Sequence, residues 1–355
     1  MKKNDILIIS SKNLGEIYSG WGRFADTLAD FLKNEGTNVI FHGKYFYQTH
    51  NNNKIKMKTR GLIKALIQTK TVFFPNFYDF NYLRFILYRF FLNKKVVVRI
   101  CANELEYRRD IKLKIMVFLL GLAKAIIVLN LEKKSYLENL LEKNEKVIYI
   151  PNPVSDFYIK NGGFQEEGGF QEEKYERKNI IFIGSICKRK GTLELIKAYK
   201  NSAAINEHKL ELIGPAGYGE SEPAYMEEVY EEIGKLLNKK IIINSTLQKK
   251  ELKQKYLESK IFVLPSYSEG MPNVLLEAMS LGLICIGSNI PGIRENIISG
   301  KNGFLFEPGN ITELTKYLNE SINISNNNIQ DNAIRFIKNE RNPSAIFFEY
   351  YQMLF

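Results

Sequence analysis

Short apolar runs alternate with helix-patterned stretches along most of this chain. Residues 6–10, 39–42, 71–74, 96–100, 125–129 and 147–150 have the length and content of buried strands. Phe24, Leu28, Phe31 and Leu32 fall between the first two at helical spacing. Strands alternating with helices predict a parallel sheet covered on both faces. The most apolar region runs from Ile115 to Leu129. Lys124 breaks it, and it is short for a membrane span, so it reads as a core helix followed by a strand. After Asn152-Pro153 a Gly-rich, acidic hexapeptide occurs twice in tandem, at 162–167 and 168–173. It carries too little apolar surface to fold alone, which predicts a flexible insertion over about 160–178. A second α/β series starts at Ile180. The segment from about Ile334 to Phe355 is helical in pattern and ends in aromatics. The expected division is 1–152 and 153–335, two domains with separate cores.

Charge adds an asymmetry. Residues 1–150 carry 26 Lys+Arg and 13 Asp+Glu, whereas 151–355 carry 24 and 26. The basic half suits an anionic membrane surface or a pyrophosphate-bearing acceptor. Lysine richness on a solvated face explains it equally well. No nucleic-acid-binding module is legible. The apolar run after Met1-Lys2-Lys3-Asn4-Asp5 is too short for a signal peptide. Cys101, Cys187 and Cys285 are odd in number and far apart, with neither disulfide nor metal spacing, which fits a reducing cytoplasm. The expected location is cytoplasmic, with peripheral contact on the inner face of the membrane.

The chemistry concentrates in residues 261–288. An apolar strand, Ile261-Phe262-Val263-Leu264-Pro265, leads into the turn Ser266-Tyr267-Ser268-Glu269-Gly270-Met271-Pro272-Asn273. The helix that follows carries Val274 and Glu277, and Leu283-Ile284-Cys285-Ile286 leads out. Pro272 suits the first helical turn, where its missing N–H costs nothing. The free amides of Asn273 and Val274 would then face an anion, phosphate above all. Helical side chains lean toward the N-terminus, so Glu277 can approach a ligand bound there. A carboxylate only accepts hydrogen bonds, and a sugar diol offers two donors. On spacing alone, two surface glutamates flanking an ordinary strand–helix turn explain the pattern as well.

Several motifs in order change the weighting. The segment resembles the E-x7-E signature of retaining glycosyltransferases of family 4, which have the GT-B fold. The likeness continues through Ser288-Asn289-Ile290-Pro291-Gly292-Ile293-Arg294-Glu295 and Gly300-Lys301-Asn302-Gly303-Phe304-Leu305. Upstream, Ile181-Phe182-Ile183-Gly184 with Lys190-Gly191-Thr192 resembles the family's phosphate element. Leu212-Ile213-Gly214-Pro215 resembles its next glycine turn, and Ile150-Pro151-Asn152-Pro153-Val154 its interdomain stretch. The resemblance is dense over roughly 147–310 and thin before it. It implies two doubly wound, Rossmann-like α/β domains facing across a cleft, with a last helix (about 336–355) packing back on the first domain.

The resemblance also implies a chemistry. A nucleotide-diphosphate sugar is the expected substrate, with no cofactor and no metal. Glu277 would hold the ribose hydroxyls and Glu269 the transferred sugar. The backbone of Gly270, Met271, Pro272, Asn273 and Val274 would meet sugar and diphosphate, with Gly184 and Gly214 lining the site. Lys190 would neutralise the leaving phosphate. Ser185 stands where the family often has an arginine, and Arg189 is placed either to replace that charge or to be a solvated loop residue. No Asp-x-Asp occurs, so no metal ligand set is expected. On the acceptor side the expected contacts are Gly20, Trp21 and Gly22 in a glycine-rich loop, with Arg99, Asn103 and Glu104. The family's frequent histidine is missing near Cys101 and Asn103. The expected reaction is retaining transfer of a hexosyl-type residue to a glycan or polyprenyl-linked acceptor in cell-surface polysaccharide synthesis. A nucleotide-sugar epimerase and a degenerate, non-catalytic donor-binding subunit are the alternatives.

Overall fold

The computed structural model describes residues 5–9, 20–42, 46–50, 53–56, 67, 69–77, 82–101, 111–142, 145–160, 177–217, 222–325 and 328–355. The chain divides into two compact units, 1–152 with 344–355, and 153–343. The tandem hexapeptide, Asn103 and Glu104 lie outside the described residues.

The first unit is built on an eight-stranded sheet. Its strands are β1 (Asp5–Ile9), β2 (Asn38–His42), β3 (Phe46–His50), β4 (Asn53–Lys56), β5 (Thr71–Phe74), β6 (Lys95–Ile100), β7 (Ala125–Val128) and β8 (Val147–Tyr149). They lie in the order β4-β3-β2-β1-β5-β6-β7-β8. All pairings are parallel except those of β3 with β2 and with β4. The antiparallel edge was not expected from the sequence, because residues 46–56 are too polar to read as buried strands.

Side chains alternate between the faces of this sheet, as the two-residue period of a strand requires. Leu7, Ile9, Val72, Phe74, Val96 and Val98 enter one core, under α2 (Tyr82–Ile86, continuing as a π-turn over Leu87–Phe91), α3 (Ile111–Leu122) and α4 (Leu131–Leu141). Ile6, Ile8, Phe73, Val97 and Ile127 enter the other, under α1 (Gly20–Asn34) and the last helix of the chain.

The second unit carries a six-stranded parallel sheet. Its strands are β9 (Asn179–Ile183), β10 (Leu210–Ile213), β11 (Ile241–Asn244), β12 (Ser259–Leu264), β13 (Ile284–Ser288) and β14 (Phe304–Phe306), in the order β11-β10-β9-β12-β13-β14. Its helices are α5 (Asp156–Lys160), α6 (Thr192–Asn201), α7 (Ala204–Glu207), α8 (Glu222–Ile233), α9 (Lys249–Leu257), α10 (Asn273–Ser280), α11 (Ile311–Ile322) and α12 (Asn328–Glu340). From β9 the chain winds outward through β10 and β11, then returns to β12 and winds the other way. The strand order therefore reverses between β9 and β12, and ligands in open α/β sheets bind beyond the strand ends at such a point.

One expectation needs correcting. The helical segment expected from about 334 to 355 is two helices: α12 in the second unit, and α13 (Pro343–Leu354), almost all of which belongs to the first. They break at Arg341-Asn342-Pro343, where a proline disfavours helical backbone in the residue before it. Ile346, Phe347, Tyr350 and Leu354 of α13 enter the first unit's core with Phe24 and Phe73. Thr71 Oγ1 donates to the Leu354 carbonyl at 2.9 Å. No described helix is long and apolar enough to cross a membrane.

Candidate donor site at the switch between β9 and β12

Two loops meet where the strand order reverses. After β9 a single 3-10 turn, Lys188–Lys190, ends at Gly191, whose φ is +66°. A Cβ built on Gly191 would stand 2.1 Å from the Pro265 carbonyl oxygen, so only glycine lets this loop lie against the end of β12. Tyr267 N–H donates to the Arg189 carbonyl at 2.9 Å, a second tie between the loops. The result is an ion pair across the switch, Lys190 Nζ with Glu269 Oε1, both side chains largely buried. Ser266 Oγ donates to the same carboxylate oxygen at 2.8 Å. Arg189 donates to the Ser268 carbonyl at 2.8 Å and stands 4.0 Å from Glu269 Oε2. The sequence-predicted trio of Glu269, Lys190 and Arg189 is thus one cluster, with two cations around one carboxylate.

The helix expected to open at Pro272 opens one residue later. Pro272 is its N-cap, with extended backbone (φ −77°, ψ 114°), and Asn273 and Val274 are the first helical residues. Their amides stand at the helix end, where partial positive charge favours an anion. Glu277 is buried, and the Tyr256 hydroxyl donates, shared, to Glu277 Oε2 and to the Val274 carbonyl, at 3.1 Å each. Burial, reinforced by the Glu277 charge, pushes the Tyr256 hydroxyl well above its ordinary range, so it stays protonated as a donor. The Met271 side chain is buried rather than open to a ligand.

The neighbouring strand ends complete the floor. Gly184 N–H donates to the Ile213 carbonyl and Gly214 N–H to the Asn244 carbonyl, extending the ladder past β9 and β10. On the other side, Gly292 (φ +80°) presses on the turn before α10, and a Cβ there would stand 2.1 Å from the Gly270 carbonyl oxygen. Asn296 Nδ2 donates to the Gly292 carbonyl at 2.6 Å. Arg341 in turn donates through Nε to Asn296 Oδ1 at 2.9 Å, and its carbonyl accepts from Val154 N–H at 3.1 Å. Sequence reasoning missed Ser266, Tyr256, Asn296 and Arg341. Ser266 opens the turn that holds Glu269 and Asn296 follows the stretch ending at Glu295, so both were findable there; Tyr256 and Arg341 carry no local signal.

The first-unit residues fare differently. The glycine-rich loop expected at Gly20, Trp21 and Gly22 is the first turn of α1. Arg99, expected at the acceptor, is 1 % exposed. Its guanidinium donates to the Pro75 carbonyl at 3.0 Å and to Asn152 Oδ1, and stacks over Phe24 at 3.9 Å. It is a core fastener, because a strand-end arginine finds carbonyl acceptors inside the unit before any ligand. Burial pushes the Cys101 thiol up, against the nearby Arg99 charge. Among the described residues no group of three His, Cys, Asp or Glu is placed to hold a metal ion.

Comparison with known proteins bears on the family and the fold. A glycosyltransferase of Haemophilus influenzae is 30% identical over 202 residues, covering 56% of this chain and 52% of that protein. The capsular polysaccharide biosynthesis glycosyltransferase CapM of Staphylococcus aureus is 28% identical over 200 residues, 55% of this chain and 50% of its own. The matches thus span about half the length of these relatives. The crystal structure of Anabaena HepE in complex with UDP-glucose superposes with a TM-score of 0.74 over 99% of both chains at 16% identity, a likeness of fold. The profile of the family described as "Glycosyl transferases group 1" matches residues 164–342, the part of the chain that holds the Lys190–Glu269 cluster and Glu277, and the chain belongs to that family.

Proposed function

We propose that the protein is a retaining, metal-independent glycosyltransferase of family 4. It moves a hexosyl-type residue from a nucleotide-diphosphate sugar to a glycan or polyprenyl-linked acceptor in cell-surface polysaccharide synthesis, at the inner face of the membrane. The observation that carries this reading is the Lys190–Glu269 pair across the β9/β12 switch, with Arg189 beside it. In this reading the donor exchanges the pair. Its diphosphate takes Lys190, Arg189 and the α10 amides, and its sugar hydroxyls take Glu269. Glu277, fixed by Tyr256, accepts from the ribose diol. The bond from the sugar C1 to the phosphate oxygen breaks, and the acceptor oxygen bonds to C1 on the same face. The acceptor proton passes to the departing nucleoside diphosphate, so no protein nucleophile is required. Preorganised cations at the leaving phosphate are the main source of rate.

The test is a thermal-shift panel of nucleoside diphosphates and their sugar conjugates, with and without magnesium, followed by product analysis. A donor at a hundred times its Kd stabilises the protein by about 2.7 kcal/mol. Glu277→Ala should lose that shift, and Lys190→Ala should slow transfer about 100-fold or more. An inverted anomeric product would overturn retention. Conversion of donor with no acceptor present would replace transfer by epimerisation, and a metal-dependent shift would overturn metal independence.

A further inference from the structure

We infer that the outer side of the helix pair α2–α3 is a docking surface for an anionic lipid bilayer. The inference deepens the reading of the protein as a transferase working at a membrane face, and names where that contact is made.

α3 is apolar nearly all round, yet only one side of it is used. Met116, Leu119 and Leu120 enter the core over the sheet, while Ile111, Ile115 and Phe118 stand out in solvent. Those three are at i, i+4 and i+7, one continuous row on a helix. Their exposures are 73%, 42% and 62%. α2 and its π-turn repeat the arrangement. Phe85 and Tyr88 enter the same core, while Leu83, Leu87, Phe90 and Phe91 are exposed, Leu83 by 81% and Phe91 by 78%. Both helices cover the same face of the sheet, and Arg89 Nε donates to the Leu122 carbonyl between them at 3.3 Å. The two rows therefore look outward from one side of the unit. Scattered exposed apolar residues are ordinary, whereas two rows on adjoining helices mark a surface that another phase or molecule covers.

The charges identify the occupant. Residues 80–103 and 111–131 contain no Asp or Glu. The two helices and the turn after α2 carry Arg84, Arg89, Lys94 and Lys114, with Lys114 exposed, whereas Lys95 and Lys124 turn to the other face of the sheet, beside α13. A symmetric second copy would set two such basic faces against each other, which opposes pairing. An anionic bilayer accepts both features: apolar side chains enter the headgroup boundary, and lysines and arginines remain at the charged surface.

The experiment is co-sedimentation of the full chain with vesicles of phosphatidylcholine alone and of an equal mixture of phosphatidylcholine and phosphatidylglycerol. The expected result is binding to the anionic vesicles, weakened by salt. Phe91→Ser with Phe118→Ser should reduce partitioning at least about tenfold. Lys114→Glu should reduce it about fivefold or more. All three side chains are exposed, so thermal unfolding should be unchanged. Failure to bind the mixed vesicles, or equal binding by both variants, overturns the inference. So does a dimer in sedimentation velocity that the serine variant dissolves, with no vesicle binding. Donor-induced thermal shift is read separately. Vesicle binding without any donor shift would keep the docking surface and sink the transferase, and the reverse result would do the opposite.

Discussion

Asn296 joins Arg341 to the turn before α10: its Oδ1 accepts from the arginine at 2.9 Å while its Nδ2 donates to the Gly292 carbonyl at 2.6 Å. Gly292 in turn rests on the Gly270 carbonyl. Arg341 also accepts the Val154 amide, so the two places where the chain passes between units are tied together and to the donor turn.

Replacing Asn296 by alanine should therefore affect ligand binding as well as stability. The change leaves a buried guanidinium nitrogen and a carbonyl unpaired, at about 1–3 kcal/mol each. Asn296→Asp keeps a partner for Arg341 but loses the donation to Gly292. We expect Asp to recover most of the thermal stability lost in Ala while donor affinity stays low. Full recovery of both would show that the link to Gly292 does nothing for the donor turn.

Tyr256→Phe should weaken donor affinity several-fold with little change in turnover. One hydrogen bond of about 0.5–1.5 kcal/mol to Glu277 disappears, and the ring packing is kept. Titrating donor against intrinsic stability in both proteins checks it; equal affinities would remove Tyr256 as the group that holds Glu277.

Gly191→Ala should be among the most damaging small substitutions. The left-handed backbone alone costs about 1 kcal/mol, and the clash with Pro265 forces the Lys190 turn outward. A displacement of this kind at a reacting group costs about 100-fold in rate. Transfer assays on folded Gly191→Ala protein would show it, and near-normal rates would mean that the turn accommodates a methyl group.

Arg99→Lys should destabilise the first unit by about 1–3 kcal/mol, since an ammonium cannot reproduce the forked contacts to Pro75 and Asn152. Trp21 is the only tryptophan in the sequence, so its fluorescence during denaturant unfolding reports on that unit. An unchanged midpoint would argue against the fastener role.

Alkaline pH should unfold the second unit within a definable window. Burial pushes Tyr199, Tyr225 and Tyr267 up to about 12, the last with help from Glu194. The folded state then keeps protons that an unfolded tyrosine releases near pH 10. This contribution is complete below about pH 10 and is lost as pH rises toward 12. Phenolate absorbance and circular dichroism followed together should show titration and unfolding coinciding there; free titration of these tyrosines near pH 10 without unfolding would contradict it.

Legibility followed burial and locality. Strands β5, β6, β7 and β12 were readable because buried parallel strands are near-continuous apolar runs. The β3–β4 edge was not, since residues 46–56 are too polar in sequence to read as strands. In the site, Glu269 and Glu277 were visible because strand, turn and helix are consecutive in sequence. Tyr256 and Arg341 act on that turn from other elements, and a contact between distant segments leaves no local pattern. Arg99 was misplaced for the converse reason: an arginine at a strand end looks available until the carbonyls around it are known.

The helix that completes the first unit is encoded after the whole of the second. On the ribosome, residues 5–150 emerge with Phe24, Phe73 and Val97 facing an absent partner, since Ile346, Phe347, Tyr350 and Leu354 arrive nearly two hundred residues later. Domains generally fold as they are synthesised, N-terminal first. Here the order of completion is inverted: the second unit can close while the first still waits with an open apolar face. Nascent chains stalled before Pro343 would be the form of this protein that most needs a chaperone.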